Sequence, residues 1–268
     1  MKVTALRTLQ TALGFTGAAV DGLYGEATRN AVAAALQGFN PNATGDWRTW
    51  PNEHQAVLCL QVYCQSAGFA PGDLDGLWGP QTDHVAGQLA YLQSKGQPAS
   101  PWRIETVPAN PNTWPLERQD DLVAFYGEAG EANLVTINLP YPLRLSWETA
   151  TVVHRTRCHA KVKDSLARVL ANVLAAYGLQ RIQELRLDLF GGGFNLREKR
   201  GGSSLSTHAW GIAFDFDPDR NQLKWTRDRA SFAKPEYDDW WKCWEDEGWV
   251  SLGRTRNYDW MHVQAARV

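Results

Sequence analysis

Two short stretches carry side chains that could do chemistry together: Ser206-Thr-His208-Ala-Trp-Gly211-Ile-Ala213-Phe-Asp215 and, near the C-terminus, Asp259-Trp-Met-His262. His208, Asp215 and His262 offer two imidazoles and a carboxylate to a single metal ion. A catalytic zinc takes three nitrogen or oxygen ligands at about 2.0–2.2 Å and keeps a fourth position open for water. Asp259, a second carboxylate three residues before the last imidazole, can serve that water as general base. The chemistry these residues suggest is metal-assisted hydrolysis.

The elements around them must bring the four side chains together. Ile212 to Asp217 reads as a strand, with Phe214 and Phe216 on one face and Ala213, Asp215 and Asp217 on the other. The apolar face can then enter a core while Asp215 faces a cleft, with the small Ala213 beside it. His208 lies seven residues before Asp215, an odd separation that would turn it away in one straight strand; Gly211 permits the bend that reunites them. Met261 to Gln264 reads as a short strand with His262 and Gln264 on one face, so Asp259 belongs to the turn before it. Val162 to Tyr177 shows helical spacing ended by Gly178, and Glu184 to Phe190 alternates like a strand broken by Gly191-Gly-Gly193. Pro235 and Gly248 bracket a helix carrying Trp240, Trp241 and Trp244. A long helix with several strands implies an α+β domain, a small antiparallel sheet with helices.

Each residue also has an ordinary reading. His54, His84, His154 and His159 are read as hydrogen-bonded surface or core histidines, and Asp219 and Asp228 as turn or surface carboxylates. Asp217 is either one of these or a partner behind a metal ligand. No HExxH stretch is present. Spacing alone leaves the metal site and the ordinary reading both open.

Composition excludes some classes. The formal charge of −2 provides no electrostatic footprint for nucleic acid or anionic membranes. Thirteen tryptophans are many for 268 residues, and most are read as core side chains. Cys59, Cys64, Cys158 and Cys243 form no CxxC pair and are read as buried thiols, with a Cys59–Cys64 bridge compatible with the spacing. No apolar run is long enough to cross a bilayer, and the N-terminus lacks the unbroken apolar stretch of a signal peptide; Leu6, Leu9 and Leu13 have helical spacing instead. The expectation is a monomeric protein made in the cytoplasm without a signal peptide.

An internal repeat divides the chain. Val20-Asp21-Gly22-Leu-Tyr24-Gly25-Glu-Ala-Thr28 returns as Leu74-Asp75-Gly76-Leu-Trp78-Gly79-Pro-Gln-Thr82, each copy preceded by Leu-Gln and Gly-Phe and followed by a helical stretch. Glycines give the turn its backbone freedom, and Asp21 and Asp75 can bond amides within it. Two such helix–turn–helix copies predict an all-α domain over residues 1–95. Five prolines between Pro98 and Pro115 mark residues 96–113 as an extended linker.

The repeat resembles the small three-helix peptidoglycan-binding domain of cell-wall hydrolases, which implies attachment to the bacterial wall without singling out contact residues. Ser-x-His-x-x-Gly-x-Ala-x-Asp followed by Asp-x-x-His, with Phe194-Asn-x-Arg197 upstream, is similar to the zinc peptidases that include D-alanyl-D-alanine carboxypeptidases, vancomycin-resistance dipeptidases and phage L-alanyl-D-glutamate endopeptidases. That resemblance covers residues 114–268. It implies His208, Asp215 and His262 as Zn2+ ligands, Asp259 as general base, and Arg197 as the cation beside the developing oxyanion, with Arg200 as its competitor in a glycine-rich loop. Many relatives carry Glu where this chain has Asp259, and the shorter side chain suits the endopeptidase branch. The implied whole is a phage-type endolysin that reaches the wall after release from the cytoplasm and cleaves its stem peptides. A D-alanyl-D-alanine carboxypeptidase and a non-catalytic wall-binding protein are the alternatives.

Overall fold

The structure, a computed structural model, describes residues 1–98 and 109–268. The chain divides into two compact units, Met1–Arg103 with Lys199–Ser204, and Ile104–Glu198 with Leu205–Val268. Of the stretch expected as linker, residues 99–108 lie outside the described residues. Asn110 and Asn112, also expected there, are bonded into the second unit: Asn112 Nδ2 donates to the Glu247 carbonyl at 2.8 Å, and Asn110 Oδ1 accepts from Trp114 N.

In the first unit the described residues form four α-helices, α1 (Val3–Ala12), α2 (Glu26–Phe39), α3 (Asn52–Ser66) and α4 (Pro80–Lys95), with short 3-10 turns and no strand. Leu9, Val32, Leu36, Leu58, Leu60 and Val85 fill its core. The repeat is explained by one hydrogen-bond network built twice. Gln10 Nε2 donates to Asp21 Oδ1, Leu23 O and Thr28 Oγ1 while its Oε1 accepts from Gly22 N. Gln61 makes the same four bonds to Asp75, Leu77, Thr82 and Gly76. Each aspartate also takes the amide two residues on, at 2.8 and 2.9 Å, in an Asx turn. Gly22 and Gly76 have φ of 77° and 68°. A Cβ at either would lie 2.7 Å from the first turn of the preceding helix, at Val3 Cγ1 and His54 O respectively. The recurring residues therefore close a turn against a helix.

The second unit adds α5 (Gln119–Tyr126), the long strands β1 (Leu134–Leu145) and β2 (Glu148–His159), and α6 (Lys163–Glu184). There follow β3 (Leu189–Gly192), β4 (Ala213–Phe216), α7 (Asp238–Asp246), β5 (Val250–Ser251), α8 (Leu252–Arg256) and β6 (His262–Gln264). The six strands form one sheet in the order β2-β1-β3-β4-β6-β5. It is a mixed sheet, larger than the small antiparallel one expected, because β3 lies parallel to β1 after the chain returns through α6. Leu166, Val169, Leu170 and Val173 bury the inner face of α6. Trp210, Trp240, Trp241, Trp244, Trp249 and Trp260 are buried here, as are Trp47 in the first unit and Trp114, which bears out the core reading of most tryptophans; Trp147, at the β1–β2 turn, is 66% exposed.

Two local expectations need correction. The alternating Glu184–Phe190 stretch is not a strand from its start. Gly178, with φ 68°, interrupts α6, which then resumes to Glu184. The helix closes in a Schellman arrangement, Leu187 N to Ile182 O and Arg186 N to Gln183 O, with Arg186 left-handed at φ 61°. Leu185, Leu187 and Leu189 are all buried, and the first two owe their alternation to burial in a turn while Leu189 opens β3. The β1–β2 hairpin gives no clean alternation because the register slips between Asn138 and Leu143, where Pro140 and Pro142 cannot donate to a ladder. Asp217 opens a turn, its carbonyl accepting from Arg220 N at 3.2 Å, but it is not a surface group and is bonded to no metal-motif residue. It is fully buried and accepts from Arg186 and Arg220 at 2.7 Å each. All four cysteines are buried and free, so Cys59 and Cys64 are not bridged; burial pushes both thiols up to about 12. Among the described residues no helix is long and apolar enough to cross a membrane.

Candidate metal centre

Strand register joins the two motifs. In the antiparallel pair β4–β6, Asp215 is the direct partner of His262, and Ala213 of Gln264. Asp215 thus faces the imidazole across one ladder rung while Phe214 and Phe216 turn into the core. His208 arrives from a 3-10 turn, Thr207–Trp210, capped by the Ser206 hydroxyl and ended by Gly211 at φ 69°. A Cβ on Gly211 would meet Leu134 Cδ2 at 2.5 Å, so the bend expected there requires glycine.

The donor atoms form a small triangle. His208 Nε2 lies 3.2 Å from His262 Nδ1, His262 Nδ1 lies 3.0 Å from Asp215 Oδ1, and His208 Nε2 lies 3.3 Å from Asp215 Oδ1. Tetrahedral coordination with bonds of about 2.0–2.1 Å places ligand atoms about 3.3–3.4 Å apart, so the triangle fits a small divalent cation with little adjustment. The outer ring nitrogens support the same conclusion. His208 Nδ1 donates to the Gly193 carbonyl at 2.6 Å, and His262 Nε2 donates to Gln264 Oε1 at 3.0 Å. Both acceptors are oxygens, so each ring turns its other nitrogen inward, towards the carboxylate. In metal ligation such outer bonds fix the tautomer and the ring orientation. His208, Asp215 and His262 are the group among the described residues that could hold a metal ion.

Electrostatics bind the three tightly. Burial raises the Asp215 carboxyl, but the two imidazoles beside it outweigh that and hold it well below the ordinary carboxylate range. Burial disfavours the charged form of His262, yet the hydrogen bond and charge of Asp215, with Asp259 and Gln264, lift it to about 9. The proton this favours on His262 Nδ1 faces Asp215 Oδ1 at 3.0 Å. A cation binding there would take that proton's place.

Asp259 stands in the turn before β6, as its parity requires. It is buried, has φ 55°, donates its amide to Leu223 O at 3.0 Å, and accepts from His262 N at 3.1 Å. Its charge reaches His262. Arg197 is not brought to the triangle by any bond described: its guanidinium donates to Glu198 O at 3.0 Å, and its carbonyl accepts from Ser206 N. Arg200, its competitor, belongs to Lys199–Ser204, which groups with the first unit.

Two residues at the centre were not singled out in the sequence. Gln264 accepts from His262 and from Thr207 Oγ1, and donates to Glu117 Oε2 at 2.8 Å. The shared parity of His262 and Gln264 is a signal for the first; Glu117, 147 positions away, has none. Comparison with protein-family models, with curated proteins and with solved structures finds no match for this chain.

Proposed function

We propose that this protein is a zinc peptidase that hydrolyses amide bonds in peptidoglycan stem peptides, with the L-alanyl-D-glutamate bond as its target, and that its first unit binds the wall. The observation that carries the metal is the convergence of His208 Nε2, His262 Nδ1 and Asp215 Oδ1 with both outer ring nitrogens engaged by oxygen acceptors. The substrate class rests on the resemblance of the two motifs, and of the Asp-Gly-x-aromatic-Gly repeat, to cell-wall hydrolases.

His208, Asp215 and His262 would hold the ion. Zinc in such a site supplies Lewis acidity, which polarises a carbonyl and acidifies a water. Asp259, beside His262, is the carboxylate suited to take the proton of the attacking water and to return it to the leaving amine; a positioned acid–base of this kind commonly contributes about 10²–10⁴-fold. Arg197 is the cation assigned to the developing oxyanion, a contribution commonly about 3–4 kcal/mol per donor, and here that role rests on the resemblance alone.

The test is mass spectrometry of purified peptidoglycan digested with and without chelator, followed by zinc restoration. Fragments ending at L-alanine with free glutamate amines, lost on chelation and regained with zinc, are expected. Release of D-alanine alone would move the protein to the carboxypeptidase branch, and a wall left intact would overturn the peptidase reading.

A further inference from the structure

Gln264 is fully buried, and its neighbours allow its amide one orientation. Nε2 donates to Glu117 Oε2 at 2.8 Å and to the Ala266 carbonyl at 3.2 Å, both acceptors. Oε1 receives Thr207 Oγ1 at 3.2 Å and His262 Nε2 at 3.0 Å. Turning the amide over would set Oε1 against a carboxylate and a carbonyl, and an N–H against the imidazole N–H. In a buried site each such mismatch leaves polar groups unsatisfied, at about 1–3 kcal/mol apiece. The orientation is therefore imposed by Glu117, and it in turn dictates which nitrogen of His262 carries the outer proton.

The elements are arranged to hold this chain of bonds. His262 and Gln264 share a face of β6, and the small Ala213 opposite Gln264 leaves room for the amide. Glu117 is laid beside the C-terminal segment by Glu117 N to Arg267 O at 2.7 Å and Arg267 N to Pro115 O at 2.8 Å. Two residues further, the Gln119 side chain donates to Leu205 O and accepts from Leu205 N, just ahead of the Ser206–His208 turn. One short segment thus braces both motifs, and Gln264 bridges them directly through Thr207 and His262.

We infer that Gln264 and Glu117 are positioning residues of the metal centre, a carboxylate-oriented amide that holds His262 in the tautomer presenting Nδ1 to the cation. The inference rests on the metal part of the proposed function and is independent of its substrate. The experiment measures zinc affinity of the full chain by chelator competition, and the nitrogen that ligates by 15N spectra of histidine-labelled, zinc-loaded protein. Gln264→Leu should bind zinc about 10–100-fold more weakly, the range typical of such outer partners, and should show His262 ligating through both nitrogens. Glu117→Ala, altered at a partly exposed site, should shift both readouts in the same direction by a smaller factor. If Gln264→Leu loses its folded circular dichroism, Glu117→Ala decides. Affinities within about twofold of the parent, with Nδ1 still the ligand, would overturn the inference. A parent chain that takes up no zinc would sink it together with the metal reading, whereas one that binds zinc but digests no wall would leave only the substrate reading refuted.

Discussion

Asp259 combines two demands at one position: its backbone turns left-handed at φ 55° to feed β6, and its carboxylate acts on His262. Asparagine tolerates the same backbone and size but cannot take a proton, so Asp259→Asn isolates the chemistry. It should keep bound zinc and thermal stability while losing about 10²–10⁴-fold in turnover; near-parental hydrolysis of purified wall would remove Asp259 from its proposed role. Gly211 is constrained by geometry alone. Gly211→Ala must place a methyl 2.5 Å from Leu134 Cδ2 on a backbone at φ 69°. It should destabilise the protein by more than about 1 kcal/mol, read as a lower urea midpoint, and should weaken zinc binding because His208 hangs on that turn.

At the scale of elements, the repeat is an identical set of bonds closing two turns. Gln61, almost wholly buried, satisfies Asp75, Thr82 and two backbone groups at once. Gln61→Leu should cost the first unit about 2–3 kcal/mol by leaving those groups unpaired, as measured by denaturant unfolding. A loss below about 0.5 kcal/mol would mean that the turn closes without the network. In the second unit Glu247, just past α7, takes two bonds from Arg168 on α6 and one from Asn112. The Arg168 bond outweighs the cost of burial and, with Ser165 and Asn112, holds the Glu247 carboxyl below its ordinary value. A depressed folded pKa stabilises above the unfolded value of about 4.3, and that contribution disappears as pH falls through the lower folded value. The urea midpoint of the parent should therefore drop towards Glu247→Gln between about pH 6 and pH 3; a gap independent of pH would count against this clamp.

For the whole molecule, two compact units with separate cores imply two unfolding events, of which one should respond to metal. Zinc at about 100 times its dissociation constant adds about 2.7 kcal/mol to the state that binds it. In calorimetry, chelation should lower one transition and leave the other in place. A shift of both together would show that the units unfold as one. Binding to sacculi by a chelated, inactive protein should persist, because the proposed wall-binding unit contains none of the three metal-motif residues.

The chemistry on offer and its local supports were legible in residue types and their spacing. Residue types offered His208, Asp215 and His262 as a group that spacing left open and the motif resemblance selected, while parity put Asp259 in a turn, made Gly211 a bend, and the recurring residues paired the two repeats. These are short-range properties, in which a period of two residues or a fixed offset decides which way a side chain points. The tertiary structure decided what no period encodes. The ladder register of β4 on β6 sets Asp215 against His262, and the return through α6 makes the sheet mixed. The prolines in β1 hid a hairpin that the rest of the sheet stabilises, and an arginine at a left-handed helix end disguised a turn as a strand. Glu117 stayed invisible for the most physical of reasons: its role exists only because folding carries it across 147 positions to a buried amide. Long-range hydrogen bonds in a packed interior depend on where the backbone has already been placed, and that placement belongs to the core as a whole.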